Sequence, residues 1–168
     1  MRTLQFPMKV LFVCLGNICR SSAAEEILRQ KLIHAGLSQQ VTVDSAGLIS
    51  YHEGELPDKR MRHHAQHRGY SLTHRSRPIR TTDFSTFDLI LGMDEANMRQ
   101  LHDKAPTPEA IRKLMRTTDF CQHLNANLVQ DPYYGGEEGF KQVLDILEDA
   151  CDGLVAFIQN KLRNDPVP

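Results

Sequence analysis

No stretch of this chain approaches the roughly twenty consecutive apolar residues that a helix needs to cross a bilayer, and the segment Met1 to Met8 lacks the apolar core of a secretory signal. A cytoplasmic protein with no membrane partner is expected. A surplus of one charge is missing as well: 20 Lys and Arg stand against 21 Asp and Glu, spread along the sequence, for a formal net charge of -1. Without a basic stripe, nucleic-acid binding is not expected. Cysteine is scarce, with Cys14, Cys19, Cys121 and Cys151 only. Four is an even number, yet 168 residues with 40% hydrophobic content can build a core without disulfide or metal staples. Reduced thiols are therefore expected, one of them available for chemistry. Internal repeats, low-complexity tracts and linkers are absent too. The whole of 1–168 reads as one domain with a structured core over 8–163.

What is present begins as strand, loop, helix, strand. Lys9 to Cys14 (KVLFVC) is an apolar run that stops at Gly16, and its lack of alternation predicts burial on both faces, hence a parallel sheet. From Ser21 the sequence SSAAEEILRQKLIHAG has helical composition, with Ala24, Ile27, Leu28 and Leu32 on one face, acidic residues in the first turns and Gly36 at the stop. Val41 to Ser45 is a second strand, which completes a βαβ unit. Asp58 to Arg68 reads as a helix closed by Gly69, with His63, His64 and His67 on a solvated face. Asp88 to Gly92 is another buried strand, followed by Asp94 as N-cap of a helix through Glu95, Met98 and Leu101. Ile111 to Thr117 is ambiguous between a short helix and a fourth strand. Phe120 to Gly136 has no period and carries Pro132, Gly135 and Gly136, which makes it a long surface loop of the kind that often carries function. Apolar residues at spacings of three and four from Phe140 to Leu162 predict a long amphipathic helix over Glu137 to Leu162. Cys121 and Cys151 read as structural.

The chemistry concentrates in VCLGNICRSS, where Cys14 ends a buried strand and Arg20 stands at the mouth of a helix. Across Leu15, Gly16, Asn17, Ile18 and Cys19 several backbone N–H groups can curl toward one point, helped by Gly16 and Asn17, which tolerate left-handed conformations. Such a nest holds a tetrahedral anion, and the helix dipole at the same point favours both phosphate and a cysteine thiolate. Arg20 can grip two phosphoryl oxygens through its planar fork. Ser21 is placed to donate to the Cys14 sulfur. A thiolate that attacks phosphorus needs a general acid for the departing oxygen, and Asp131 in DPYYGG is the candidate, with Tyr133 and Tyr134 offering aromatic surface.

The pair of motifs, Cys14-x5-Arg20-Ser21 near the start and Asp131-Pro132-Tyr133-Tyr134 late in the chain, resembles the low-molecular-weight protein tyrosine phosphatases over nearly the whole length. The resemblance implies an α/β fold of three layers: a four-stranded parallel sheet of order 2-1-3-4, helices on both faces, and Arg112 to Arg116 as the fourth strand. It implies a phosphocysteine intermediate on Cys14, no metal or other cofactor, a phosphotyrosine-containing protein as substrate and inorganic phosphate as product. It gives Asn17, Ser45 and His74 supporting roles around the phosphate loop, and places Tyr51 beside Tyr133 and Tyr134 in the substrate cleft. Relatives that act on phosphoarginine carry Thr where this chain has Ile18, and the larger apolar side chain favours an aryl phosphate. Cys19 matches a second loop cysteine that could trap an oxidised Cys14 as a disulfide. A similar arsenate reductase would need a redox cysteine pair seventy to eighty residues after Cys14, and residues 80 to 100 contain none. A silent phosphate-binding module would need neither Cys14 nor Asp131.

Overall fold

The computed structural model describes residues 5–164. Four strands, β1 (Met8–Cys14), β2 (Val41–Gly47), β3 (Leu89–Gly92) and β4 (Leu114–Arg116), form one sheet in the order β2-β1-β3-β4. All three strand pairings are parallel. Among the described residues six helices accompany it: α1 (Arg20–His34), α2 (Lys59–His67), α3 (Asp83–Thr86), α4 (Glu95–Lys104), α5 (Pro108–Ile111) and α6 (Glu137–Asn164), with a 3-10 turn at Thr117–Phe120. No helix among the described residues is long and apolar enough to cross a membrane.

The unbroken apolar run of β1 follows from burial on both faces. Met8, Val10, Phe12 and Cys14 pack with Ala24, Ile27 and Leu28 of α1 and Phe140, Leu144 and Leu147 of α6. Leu11 and Val13 point the other way, into a second cluster with Phe84, Phe87, Leu101 and Ala110. Helices thus cover both faces of the sheet. Because β2 and β3 lie on opposite sides of β1, the connections leave its carboxyl end in opposite directions. Open α/β sheets place ligands in the crevice this creates, and here that is where Cys14 sits.

Several expectations need correction. The first two turns of α1 are buried all round, with Arg20, Ser21, Ser22, Glu25 and Glu26 enclosed along with the apolar face. Its first turn holds no acid. The ambiguous stretch splits, with Pro108–Ile111 forming a helical turn capped by Thr107 and Leu114–Arg116 pairing with β3. All three residues of β4 are only half-buried, which is why no apolar signal marked that strand. His64 is buried, with its ring stacked 5.7 Å from that of Phe140, so only His63 and His67 of the histidine cluster are solvated. The long loop is pinned inward: Val129 is fully buried and donates its N–H to Met93 O at 2.7 Å. Its start is held by Asp149 of α6, whose carboxylate accepts the N–H groups of Gln122, His123 and Leu124. Burial opposes that charge, but the three amides hold Asp149 below its ordinary range.

Gly153 lets α6 lie against the 3-10 turn, since a Cβ there would stand 1.7 Å from Phe120 O. Gly153→Ala is expected to destabilise the protein by about 3 kcal/mol, at the upper end of ordinary overpacking, and so to lower the thermal midpoint by about 6–12 °C. Circular-dichroism melts of the variant and parent check it; equal midpoints would mean that α6 shifts freely.

Candidate active site

After β1 the chain crosses the sheet edge in a tight loop, 15–19, before α1 begins. The loop lies directly on β2, where a Cβ on Gly47 would come within 3.1 Å of Asn17 Cβ, Gly16 C and Leu15 O. Leu48 and Ile49 donate their N–H groups to Leu15 O at 2.9 and 3.0 Å, which fixes the loop to the end of that strand. Asn17 adopts φ +59°, the left-handed conformation that asparagine tolerates better than most residues.

This turn puts the Asn17 side chain inward. Its Oδ1 accepts the Arg77 N–H at 3.0 Å, which settles the amide orientation, and meets His74 Nε2 at 2.9 Å. Its Nδ2 donates to Ser21 Oγ at 2.8 Å and to Ser45 Oγ at 3.0 Å. Ser45 in turn donates to Glu25 Oε1 at 2.9 Å, and His74 Nδ1 faces the same oxygen at 3.1 Å. Burial pushes Glu25 up, but His74 and then Arg29 outweigh it and hold the carboxyl below its ordinary range. Because Ser21 Oγ already accepts from Asn17, its hydroxyl hydrogen is free to point at Cys14 Sγ, 3.0 Å away. The Asn17 N–H reaches the same sulfur at 3.3 Å. Two donors therefore converge on one sulfur atom at the helix N-terminus.

Arg20 is buried against the opposite wall. Its Nη1 donates to Asp94 Oδ2 at 2.6 Å and to Val129 O at 2.9 Å, while Nη2 stands 3.5 Å from Asp131 Oδ2. Burial opposes the charge, but Cys14, Asp94 and Asp131 keep the guanidinium firmly protonated. Asp131 is two-fifths exposed on its side chain and accepts the Tyr133 N–H at 3.0 Å.

A cavity of about 340 Å³ opens above the loop, lined by Cys14, Leu15, Gly16, Ile18, Cys19 and Arg20 on its floor and Tyr51, Asp131, Tyr133 and Tyr134 on its walls. Those ten expected residues therefore share one space. Asn17, Ser21, Ser45 and His74 lie behind it as the network just described. Tyr51 and Tyr134 are almost fully exposed, as rim rather than floor. Four cysteines are free. Burial, reinforced by Asp58 and Cys14, pushes the Cys19 thiol well up; burial, with Asp149 nearby, pushes Cys121 up to about 11.

Sequence reasoning overlooked several contributors. Asp94 is the expected N-cap, its Oδ1 accepting from Asn97 N at 2.8 Å, but its other oxygen also holds Arg20. His52 and Ile49 line the cavity, the His52 ring packing over Gly16 and bonded through Nδ1 to Glu55 at 2.6 Å. Only the position of Asp94, just past the carboxyl end of a buried strand, could have hinted at such a role.

Residues 9–164 match the profile of the family described as low molecular weight phosphotyrosine protein phosphatase. A Synechocystis sp. chain provisionally named a low molecular weight protein-tyrosine-phosphatase is 45% identical over 157 residues, covering 94% of this chain and 100% of its own length. The crystal structure of a protein tyrosine phosphatase from Entamoeba histolytica, with Hepes in its active site, superposes with a TM-score of 0.88 at 46% identity, covering 91% of this chain and 97% of that one. A structure named drosophila arginine phosphatase gives a TM-score of 0.84 at 33% identity, covering 90% and 98%. The chain belongs to the low molecular weight phosphotyrosine protein phosphatase family. Its enzyme class is that of the low molecular weight protein-tyrosine-phosphatases, which are hydrolases.

Asp94→Asn keeps an acceptor for the α4 cap and removes the charge that faces Arg20. It is expected to lower kcat/KM for an aryl phosphate about tenfold, or ~1.4 kcal/mol of transition-state stabilisation. Steady-state rates check it, and unchanged kinetics would show that Val129 O alone suffices to hold Arg20.

Proposed function

We propose that the protein hydrolyses protein phosphotyrosine through a phosphocysteine on Cys14, with Arg20 as phosphate clamp and Asp131 as general acid and then base. The observation that carries this reading is the convergence on one cavity of a sulfur facing two donors, a guanidinium, and a carboxylate 3.5 Å from that guanidinium. The Cys14 thiolate attacks phosphorus, the bond from phosphorus to the tyrosine oxygen breaks, and Asp131 delivers a proton to that oxygen. Water then attacks the phosphocysteine while the Asp131 carboxylate takes its proton. The Cys14 sulfur leaves as thiolate, stabilised by the Ser21 hydroxyl, and inorganic phosphate is released. Arg20, with the amides of residues 15–19, takes the charge that spreads over the equatorial oxygens. None of these steps calls for a metal. We assign them to a single domain, 1–168 with its core over 8–163, working in the cytoplasm where thiols stay reduced.

The choice of an aryl phosphate over phosphoarginine rests on the cavity walls. Ile18 on the floor offers only hydrocarbon, and Tyr51 and Tyr133 can face a substrate ring. One structural relative is named an arginine phosphatase, so the comparison is a real one. Rates on phosphotyrosine, phosphoserine and phosphoarginine peptides should favour phosphotyrosine by about a hundredfold, ~2.7 kcal/mol of discrimination. A preference for phosphoarginine would remove this substrate assignment. Cys14→Ser should abolish turnover while phosphate binding persists, and a chelator should leave the parent rate unchanged; substantial residual turnover of the variant would defeat the phosphocysteine.

A further inference from the structure

Arg60, on the first turn of α2, does not line the cavity, yet it touches both halves of the site's frame. Its Nε and Nη2 bond to the two carboxylate oxygens of Asp58 at 3.1 and 3.0 Å. Asp58 is tied to the phosphate loop, since its N–H donates to Ile18 O at 2.7 Å. Arg60 Nη2 also donates to Tyr133 O at 2.8 Å, across 73 residues of sequence. The guanidinium lies 5.4 Å over the Tyr133 ring and 4.8 Å over that of Phe140, at the start of α6. Tyr133 in turn donates its N–H to Asp131 Oδ1 at 3.0 Å. One continuous path therefore runs from Ile18, through Asp58, Arg60 and Tyr133, to Asp131. Burial pushes the Asp58 carboxyl up, but the Arg60 side chain and N–H together outweigh it and hold that carboxyl below its ordinary range.

We propose that Arg60 is a positioning residue that clasps the acid loop to the phosphate loop and sets the distance between Asp131 and a phosphoryl group on Cys14. The proposal rests on the reading of Asp131 as general acid. The physical case is that at this end the acid loop is held chiefly by the buried Pro132, the Arg20 contact of Asp131 and Tyr133, whose backbone carbonyl and ring Arg60 secures. Asp131 and Tyr134 are exposed, Gly135 and Gly136 follow, and an added Cβ on Gly136 would meet nothing within 4 Å. Arginine suits the place because its planar fork can bond Asp58 on one edge, reach a carbonyl with a further N–H, and stack on two rings. Lysine can supply one of these contacts at a time. A displacement of about 1 Å in the acid is enough to cost catalysis heavily.

The test compares Arg60→Ala, Arg60→Lys, Asp131→Asn and the Asp131→Asn/Arg60→Ala double variant on two substrates. One is a phosphotyrosine peptide, whose leaving group needs a proton, and the other is 2,4-dinitrophenyl phosphate, whose leaving group does not. kcat/KM is read because it covers formation of the phosphocysteine. Arg60→Ala should lose about tenfold on the peptide, part of the ~10²–10⁴ that a general acid supplies, and under about twofold on the dinitrophenyl ester. Arg60→Lys should recover part of the loss. In the Asp131→Asn background Arg60→Ala should cost nothing further, because it acts through the same carboxylate. The thermal midpoint should fall by only a few degrees, since an exposed ion pair and exposed cation–π contacts each contribute at most about 1 kcal/mol. Equal losses on both substrates, or a full second loss in the double variant, would overturn the clasp while Asp131 stands. If Asp131→Asn itself shows no dependence on the leaving group, the acid reading falls and the clasp with it.

Discussion

The site is organised around one buried asparagine. Asn17 sits at a left-handed backbone angle that turns its amide into the protein, and the four hydrogen bonds made there join the phosphate loop to α1, to β2 and to the returning segment at His74 and Arg77. A half-satisfied amide in that place would carry a desolvation cost. With both ends engaged, the amide ties the loop to its neighbours, and the Ser21 hydroxyl, already accepting from Asn17, keeps its hydrogen for Cys14 Sγ. The geometry around Cys14 Sγ follows from a residue that never enters the cavity.

Charge is arranged on the same plan. Arg20 is nearly inaccessible to water, a position a guanidinium occupies only when paired. Asp94 and the Val129 carbonyl take up one nitrogen from the protein side, which leaves the other turned toward the cavity and Asp131. The guanidinium is thus fixed by the protein on one edge, an arrangement of the kind that limits reorganisation around a charge. The loop that supplies the Val129 carbonyl also carries Asp131, so Arg20 and Asp131 share an anchor.

The two loops differ in how firmly they are held. The phosphate loop is fixed by backbone bonds to β2 and by the Asn17 network. The acid loop is secured at its start by Asp149, in its middle by Val129, and near Tyr133 by Arg60 from α2. Its tip is exposed, which suits a segment that must admit a protein substrate. Tyr51 and Tyr134 stand at that rim with most of their surface in water, available to a partner rather than to the core.

Much of this was legible in the residues. The unbroken run KVLFVC announced a doubly buried strand, and the residues from Cys14 to Arg20 announced a tight turn from that strand into a helix, because strand burial and turn chemistry are local properties of the chain. β4 was not legible, since its three half-buried residues carry no period, and its pairing with β3 exists only once the sheet has formed. Nor was Asp94 as the partner of Arg20, the burial of His64 and Glu25, or the link from Arg60 to Tyr133. Each joins side chains far apart in sequence, and no local pattern encodes which polar groups will meet when separate elements pack. The sequence by itself determined the alternation of buried strands and helices and the place of Cys14 at a strand end; the tertiary structure decided which charges face one another, because electrostatic pairing depends on distance in space rather than along the chain.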